Sequence, residues 1–384
     1  MFEIKRIYEY LGDGDSVLND RITERCPTCA RPDTPTVTIE AGAVVEAVGA
    51  SYRISVISLS ATQAIVTYTS GTNVLKARIV TVAGLLCTWG AEQNLTNTAF
   101  STSVAKISST QAVVIYATTG NVVHGAVLSI SGNTVTINTA YNLGAAAATS
   151  LPVLTRLSST QFAAAYVGAA ALIQAQVLDV AGTVITPGAV ATIGSTASEN
   201  YPAIDALTSS KFIVSYFTQS PASDIVAVVC TVAASVVTAG SEYIVSTGSV
   251  STSTTTIVRR AGADTVATVS WIQAGVGTLS SVRVDVAGTV CTPRTVKAMS
   301  VLASVHSHYD VSSTKQIIAY SNYTTVYPYF LVNTFGSLEI TEGANTLIAS
   351  ETSFEHAITL MSGYKVIIVY KDAASYLQAL AVQL

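Results

Sequence analysis

Charge is what this sequence most lacks. Only 11% of its 384 residues are Asp, Glu, Lys or Arg, against roughly a quarter in an ordinary soluble domain. The net charge of −4 leaves no basic field to attract nucleic acid. Long apolar runs are also missing. Hydrophobic residues reach 49% and the mean hydropathy is +0.49, yet no stretch of about 18 apolar residues occurs. Ala and Val are interspersed with Ser and Thr, so membrane insertion is not expected. Glu, Lys and Leu are too scarce for a coiled coil, and the β-branched content argues against disorder. The N-terminus, MFEIKRIYEYLGDGD, has no apolar signal core, so synthesis in the cytoplasm without classical export is expected.

The residues of chemistry are scarce as well. Five cysteines, Cys26, Cys29, Cys87, Cys230 and Cys291, form no disulfide framework. The last three sit in apolar text and read as small buried hydrophobes. Cys26-Pro-Thr-Cys29 has the spacing of half a metal knuckle, but no further ligand pair lies near it. Asp13-Gly-Asp15 with Glu24 imitates a calcium loop, but Leu18 stands where that loop needs Gly. There is no GxSxG elbow, no phosphate-binding glycine loop, and no WD, kelch or aspartate-box signature. No catalytic residue and no cofactor is expected.

What is present is repetition. The unit is a polar turn followed by a short apolar strand ending in an aromatic residue. It reads LSATQAIVTY to Tyr68, ISSTQAVVIY to Tyr116, LSSTQFAAAY to Tyr166 and LTSSKFIVSY to Tyr216. It continues with GADTVATVSW to Trp271, VSSTKQIIAY to Tyr320 and MSGYKVIIVY to Tyr370. The anchors are 48 to 55 residues apart, a spacing typical of four-stranded propeller blades. Alternating strands follow each anchor, as in VLKARIVTV and IQAQVLDV. Hairpin glycines then follow at Gly84, Gly132, Gly182, Gly288 and Gly336. The anchors themselves are expected to pack between blades.

The seventh unit stops 14 residues past Tyr370, before its fourth strand. Matching fourth-strand text appears at residues 36–49, where TVTIEAGAVVEAVG resembles SLEITEGANTLIAS. The expected fold is therefore an all-β, seven-bladed β-propeller over 35–384. Its ring would be closed by an N-terminal strand, about 36–48, completing the C-terminal blade, which leaves no open sheet edge.

Residues 1–34 differ from this body. They hold 12 of the 42 charged side chains and cannot bury a core of their own. They read as an arm that docks on a partner through Phe2, Ile4, Ile7, Tyr8, Tyr10 and Leu11, with Cys26 and Cys29. In the body, His306 and His356 occupy the same place in adjacent repeats, and His308 shares the strand face of His306. These three are weak candidates for a metal site, with axial-channel lining as the alternative. Tyr323, Tyr327 and Tyr329, together with Tyr309, are the candidate ligand or receptor platform.

A charged arm, no signal peptide and a weakly charged tandem-repeat body together resemble bacteriophage virion appendage proteins. That resemblance implies a non-enzymatic structural or attachment protein, located in the virion and present in several copies. It would be held to other virion proteins by residues 1–34 and could recognise a host-surface carbohydrate. The alternative is a bacterial surface or secreted propeller lectin, and the third is a propeller hydrolase.

Overall fold

The computed structural model describes residues 38–39, 43–47, 54–147, 151–195, 202–218, 223–247, 255–273, 277–335, 340–350, 352–362, 365–372, 374 and 376–384. Two units are distinguished, Ile39–Gln383 and the remainder (residues 1–38 with Leu384). The expected docking arm, with Phe2, Ile4, Ile7, Tyr8, Tyr10, Leu11, Cys26 and Cys29, lies outside the described residues.

The described residues form antiparallel β-sheets and no helix. Each repeat folds as an up-and-down meander. In repeat one the strand Ile54–Ser58 pairs with Gln63–Thr69, which pairs with Leu75–Ala83, which pairs with Leu86–Trp89. The same order recurs in repeats two, three and four. Repeats five and six share one nine-stranded sheet. There the 14-residue strand Lys297–Asp310 pairs first with Thr278–Ala287 and then with Lys315–Asn322. In the last repeat Ser353–Leu360, Lys365–Asp372 and Tyr376–Gln383 follow in order. Beside Tyr376–Gln383 runs the N-terminal strand Ala43–Ala47, with Ala43 opposite Ala379 and Val45 opposite Leu377.

Local sequence explains these elements. The S-x-T text before four of the anchors, Tyr68, Tyr116, Tyr166 and Tyr320, is a hydroxyl-capped turn. Ser60 Oγ accepts from the N–H groups of Thr62 and Gln63, and Ser312 Oγ accepts from Thr314 and Lys315. Gly84, Gly132, Gly182 and Gly288 have φ of +59° to +65°, as two-residue hairpins need, and Gly336 lies outside the described residues. Repeat four makes this turn with Ala234 and Ser235, both at positive φ.

The seven anchors are all buried, as expected for residues packed between sheets. Apolar clusters join consecutive repeats. One holds Ile65, Leu75 and Ile79 of repeat one with Val114, Tyr116 and Leu128 of repeat two. Another holds Ala163 and Val177 of repeat three with Phe212, Val214 and Tyr216 of repeat four. A further cluster packs Ala357, Ile367, Val369 and Ala379 of the last repeat on Val56, Val66 and Tyr68 of the first.

The inner strands are tied together in a second way. In repeats one to five the inner strand has one edge without a strand partner in its own sheet, and a neighbouring repeat satisfies part of it. Val104 N–H donates to Ser55 Oγ, Leu154 N–H to Ser103 Oγ, and Ala206 N–H to Thr155 Oγ1, each at 3.1 Å. Arg259 N–H donates to Asp205 Oδ2 at 2.6 Å, and Ser58 N–H to Thr359 Oγ1 at 3.1 Å. The last of these bonds links the end of the chain to its beginning. Four hydroxyls and the Asp205 carboxylate on the inner strands therefore stand in for the missing ladder partners.

Candidate binding surface

Antiparallel order places the turns after the anchors at one end of every sheet. In repeat six this turn is Asn322-Tyr-Thr-Thr-Val-Tyr-Pro328. Its backbone is fixed by an Asx turn: Thr324 and Thr325 N–H donate to Asn322 Oδ1 at 2.9 and 3.0 Å. Asn322 N–H donates to the Tyr327 carbonyl at 2.9 Å, and Ser353 N–H to the Val326 carbonyl at 2.7 Å. Tyr323 N–H donates to the Leu302 carbonyl at 3.0 Å. This tie to the shared strand leaves the Tyr323 side chain outside the core.

Tyr323 is 62% exposed, the most exposed large hydrophobic residue among those described. Its ring lies beside Gly277 of repeat five, where a Cβ would come within 3.3 Å of it. Gly277 is also at φ +69°, so this position is held by both turn conformation and close approach. Thr324 and Thr325, the next two residues of the turn, are exposed as well.

The other candidate tyrosines have different roles. Tyr329 is half-buried and stacks on the anchor Tyr320 with ring centroids 5.7 Å apart. Tyr327 is half-buried in the turn. Both support the turn more than they present a surface. Tyr309 is not part of this group. It pairs with Ile317 near the opposite end of the inner strand, within electrostatic reach of Asp205, Asp310 and Arg259.

The same turn exposes a strained residue. Val326 has φ +58°, which a β-branched side chain disfavours. The matching positions of repeats one and two are Asn73 (φ +60°) and Asn121 (φ +57°), a residue that tolerates this region. Val326→Asn is expected to raise stability by ~1 kcal/mol, read as a shifted urea midpoint at constant m-value. No gain would mean that packing of Val326 offsets the strain.

The three histidines are buried but do not form a metal centre. Among the described residues no group of three or more His, Cys, Asp or Glu is arranged to hold an ion. His306 Nε2 and His308 Nδ1 both meet Thr256 Oγ1 of repeat five, at 2.9 and 2.8 Å. His356 Nε2 instead meets Ser353 Oγ at 3.1 Å. The shared face of His306 and His308 is thus observed, but it is filled by a hydroxyl and not by a third imidazole. Burial holds His306 down to about 4 and His308 and His356 to about 3, so all three are neutral near pH 7.

Around these histidines lies a polar row that the sequence reading passed over. Cross-strand neighbours share a sheet face, and Asp310, Gln316 and Asn333 are successive partners across repeat six. Gln316 Nε2 donates to Asp310 Oδ1 at 3.3 Å, and Asn333 Nδ2 to Gln316 Oε1 at 3.5 Å. Asp310 Oδ2 and Asn333 Oδ1 are buried with no hydrogen-bond partner. Burial, the largest effect on Asp310, pushes its carboxyl up to about 8. At the Gln316 and Asn333 positions other repeats have Phe162 with Leu178, Phe212 with Cys230 and Val366 with Val382, whereas the Asp310 position is charged elsewhere too, as Lys106, Arg156 and Arg259. Superposing the repeats in the sequence would have shown this exception.

No family model matches the chain, and no curated protein matches it. Solved structures do. The lectin BP39L from Burkholderia pseudomallei is similar at 10% identity with a TM-score of 0.67, over 87% of this chain and 96% of that one. A mutant of the Aleuria aurantia lectin in complex with an α-methyl-L-fucoside is similar at 14% identity with a TM-score of 0.52, over 77% and 95%. A protein from Bacteroides uniformis, named provisionally as a 6-phosphogluconolactonase, is similar at 7% identity with a TM-score of 0.54, over 84% and 95%. At these identities the likeness concerns the fold, which is β-propeller-like, and one fold serves many chemistries.

Proposed function

We propose that this protein is a carbohydrate-binding β-propeller of seven blades, and that Tyr323 with Thr324 and Thr325 forms a sugar-binding surface on it. The observation that carries the binding assignment is an aromatic ring presented at 62% exposure by a turn whose backbone is fully tied down. Fixing the ring beforehand reduces the ordering cost of binding. A flat apolar face with hydroxyls in the same turn suits a pyranose, which carries C–H groups on one face and hydroxyls at its rim. The low charge of the chain fits a neutral ligand. The similarity of the fold to lectins supports the same reading.

The seven-blade count is supported by counting Lys297–Asp310 twice, as the outer strand of repeat five and the inner strand of repeat six. Closure of the ring is supported by the apolar packing of the last repeat on the first and by the Ser58–Thr359 bond. The pairing of Ala43–Ala47 with Tyr376–Gln383 supports the shared last blade. Docking on a virus particle would rest on residues 1–34, and no observation favours it over carbohydrate binding.

The test is a glycan array followed by calorimetry on wild type and Tyr323→Ala. At least one neutral glycan should be retained, and the substitution should weaken it at least about tenfold, the effect of losing a central aromatic contact. The thermal midpoint should be unchanged, because the side chain is outside the core. Glycan binding that ignores Tyr323→Ala would move the site elsewhere. No retained glycan would overturn the function.

A further inference from the structure

The boundary between repeats five and six is unlike the apolar ones. From repeat five it receives Thr256, Thr268, Ser270, Ser281 and Arg283; Thr268, Ser270 and Ser281 are fully buried, and Ser270 Oγ meets Ser281 Oγ at 2.7 Å. From repeat six it receives His306, His308, Asp310, Gln316 and Asn333, all buried. His308 stands where the other repeats have Val56, Val104, Leu154, Ile204, Ile257 and Ile358, each opposite the residue two before its anchor. Of the nine buried side-chain atoms without a partner among the described residues, four lie in this seam, on His306, His308, Asp310 and Asn333. Unsatisfied groups so concentrated mark a weak point in the packing.

The seam is also connected to the Tyr323 turn. His306 and His308 lie on Lys297–Asp310, the strand whose Leu302 carbonyl accepts from Tyr323 N–H. The next residue, Ala303, donates its N–H to the Gly277 carbonyl at 2.7 Å, fixing the glycine beside the Tyr323 ring.

We propose that this seam is a pH-responsive device that opens on acidification and thereby releases a ligand held at Tyr323. The second half of the statement rests on the carbohydrate-binding reading above, and the first half does not. The Thr256 hydroxyl can donate to one imidazole nitrogen and accept from the other. With both imidazoles protonated, both nitrogens become donors, and the hydroxyl has no acceptor left at either. The buried site then holds two cations close together, and Arg260 with Arg283 lies toward the Asp310 end of the seam. The other charged groups facing it are Asp285 of repeat five, Asp205 with Arg259, Asp310 and Tyr309 at the far end of the strand, and His356 across the next boundary.

Linkage gives the sign. In the closed seam His306 and His308 titrate near 4 and 3, and once exposed near the ordinary value of about 6.5. Opening between pH 6.5 and 4 therefore takes up two protons. Asp310 titrates near 8 when closed and near the usual value of about 4 when exposed, so opening releases one proton over that interval. The net uptake below pH 6.5 is one proton, a roughly tenfold rise in opening per unit of acidification. Between pH 6.5 and 8 only the Asp310 release remains, and opening rises about tenfold per unit in the alkaline direction. The seam is tightest near pH 6.5.

The test is hydrogen exchange by mass spectrometry from pH 4.5 to 8, corrected for intrinsic rates. Peptides from Thr278–Ala287 and Lys297–Asp310 are compared with those of repeats one to three. The full chain should show a V-shaped profile confined to the seam. Asp310→Asn should flatten the alkaline limb and steepen the acid limb to about 100-fold per unit. The double substitution His306→Gln with His308→Gln should reverse the acid limb, so that opening falls about tenfold per unit of acidification, because only the Asp310 release remains. Should the double variant fail to fold, the steepened limb of Asp310→Asn still decides the matter. A profile shared by all repeats, or an acid limb that survives the double substitution, overturns the seam. Glycan binding at pH 5 and 6.5 then tests the link to Tyr323. Binding that is equal at both values while the seam opens overturns that link. No binding at either value defeats the carbohydrate reading, while exchange still decides the seam.

Discussion

Tyr216→Ala is expected to lower the stability of the domain by about 3–5 kcal/mol, the range for truncating a buried aromatic side chain. Tyr216 is fully buried in the apolar cluster between repeats three and four, against Val214, Val226 and Val228. Its hydroxyl donates to Glu242 Oε1 at 2.6 Å. Glu242 also accepts from Ser195 N–H at 2.5 Å and from Ser195 Oγ at 2.6 Å, so one carboxylate joins the end of repeat three to repeat four. Tyr216→Phe keeps the ring and removes only this bond. It should cost the lower part of the roughly 1.5–3 kcal/mol given by hydrogen bonds to charged groups, since Glu242 keeps two other partners. Urea denaturation of both variants separates the two effects. A loss below about 1 kcal/mol for the alanine variant would show that the anchors are not the wedges of this fold.

Asp310→Asn should act in the opposite direction and depend strongly on pH. The folded-state carboxyl titrates near 8, above its ordinary value, because it is buried. The folded protein thus holds a proton that the unfolded chain has already lost, from about pH 4 upward. Wild-type stability contributed by this group falls as pH rises through that window, by at most about 1.4 kcal/mol per unit. Asn keeps an acceptor for Gln316 Nε2 and has no charge to bury. The variant should exceed wild type by a few kcal/mol at pH 8 and match it at pH 4. Thermal midpoints measured across this range check it. A constant difference between the two proteins would mean that Asp310 is ionised in the folded state throughout. The same experiment probes why a buried row is polar in one repeat, since removing a buried charge often stabilises a protein while changing how it opens.

Both substitutions show how much the linear text conveys. The anchor tyrosines could be located from their spacing, and their burial follows from strands whose neighbours are Val, Ile and Ala. The carboxylate that receives the Tyr216 hydroxyl could not be found this way. Glu242 lies 26 residues downstream, on a strand brought back by two turns. The polar row of repeat six was visible in the sequence as Asp310, Gln316 and Asn333, but only to a comparison of equivalent positions across repeats. The tyrosine cluster was legible as a cluster. Its division into one presented ring, two supporting rings and a remote Tyr309 depended on which end of the strand each occupied.

Sequence by itself determined the local grammar of this protein. Period-two alternation specified the strands, S-x-T turns and hairpin glycines set their ends, and recurrence at about 50 residues set the number of units. These features act over a few residues or through exact repetition, so they can be read along the chain. Tertiary structure decided which surfaces meet. The sharing of Lys297–Asp310 between two repeats, the hydroxyls that tie neighbouring inner strands, and the placing of Tyr323 against Gly277 all join residues from separate repeats. Their partners are fixed by how twisted sheets pack face to face, a constraint that no window of sequence contains.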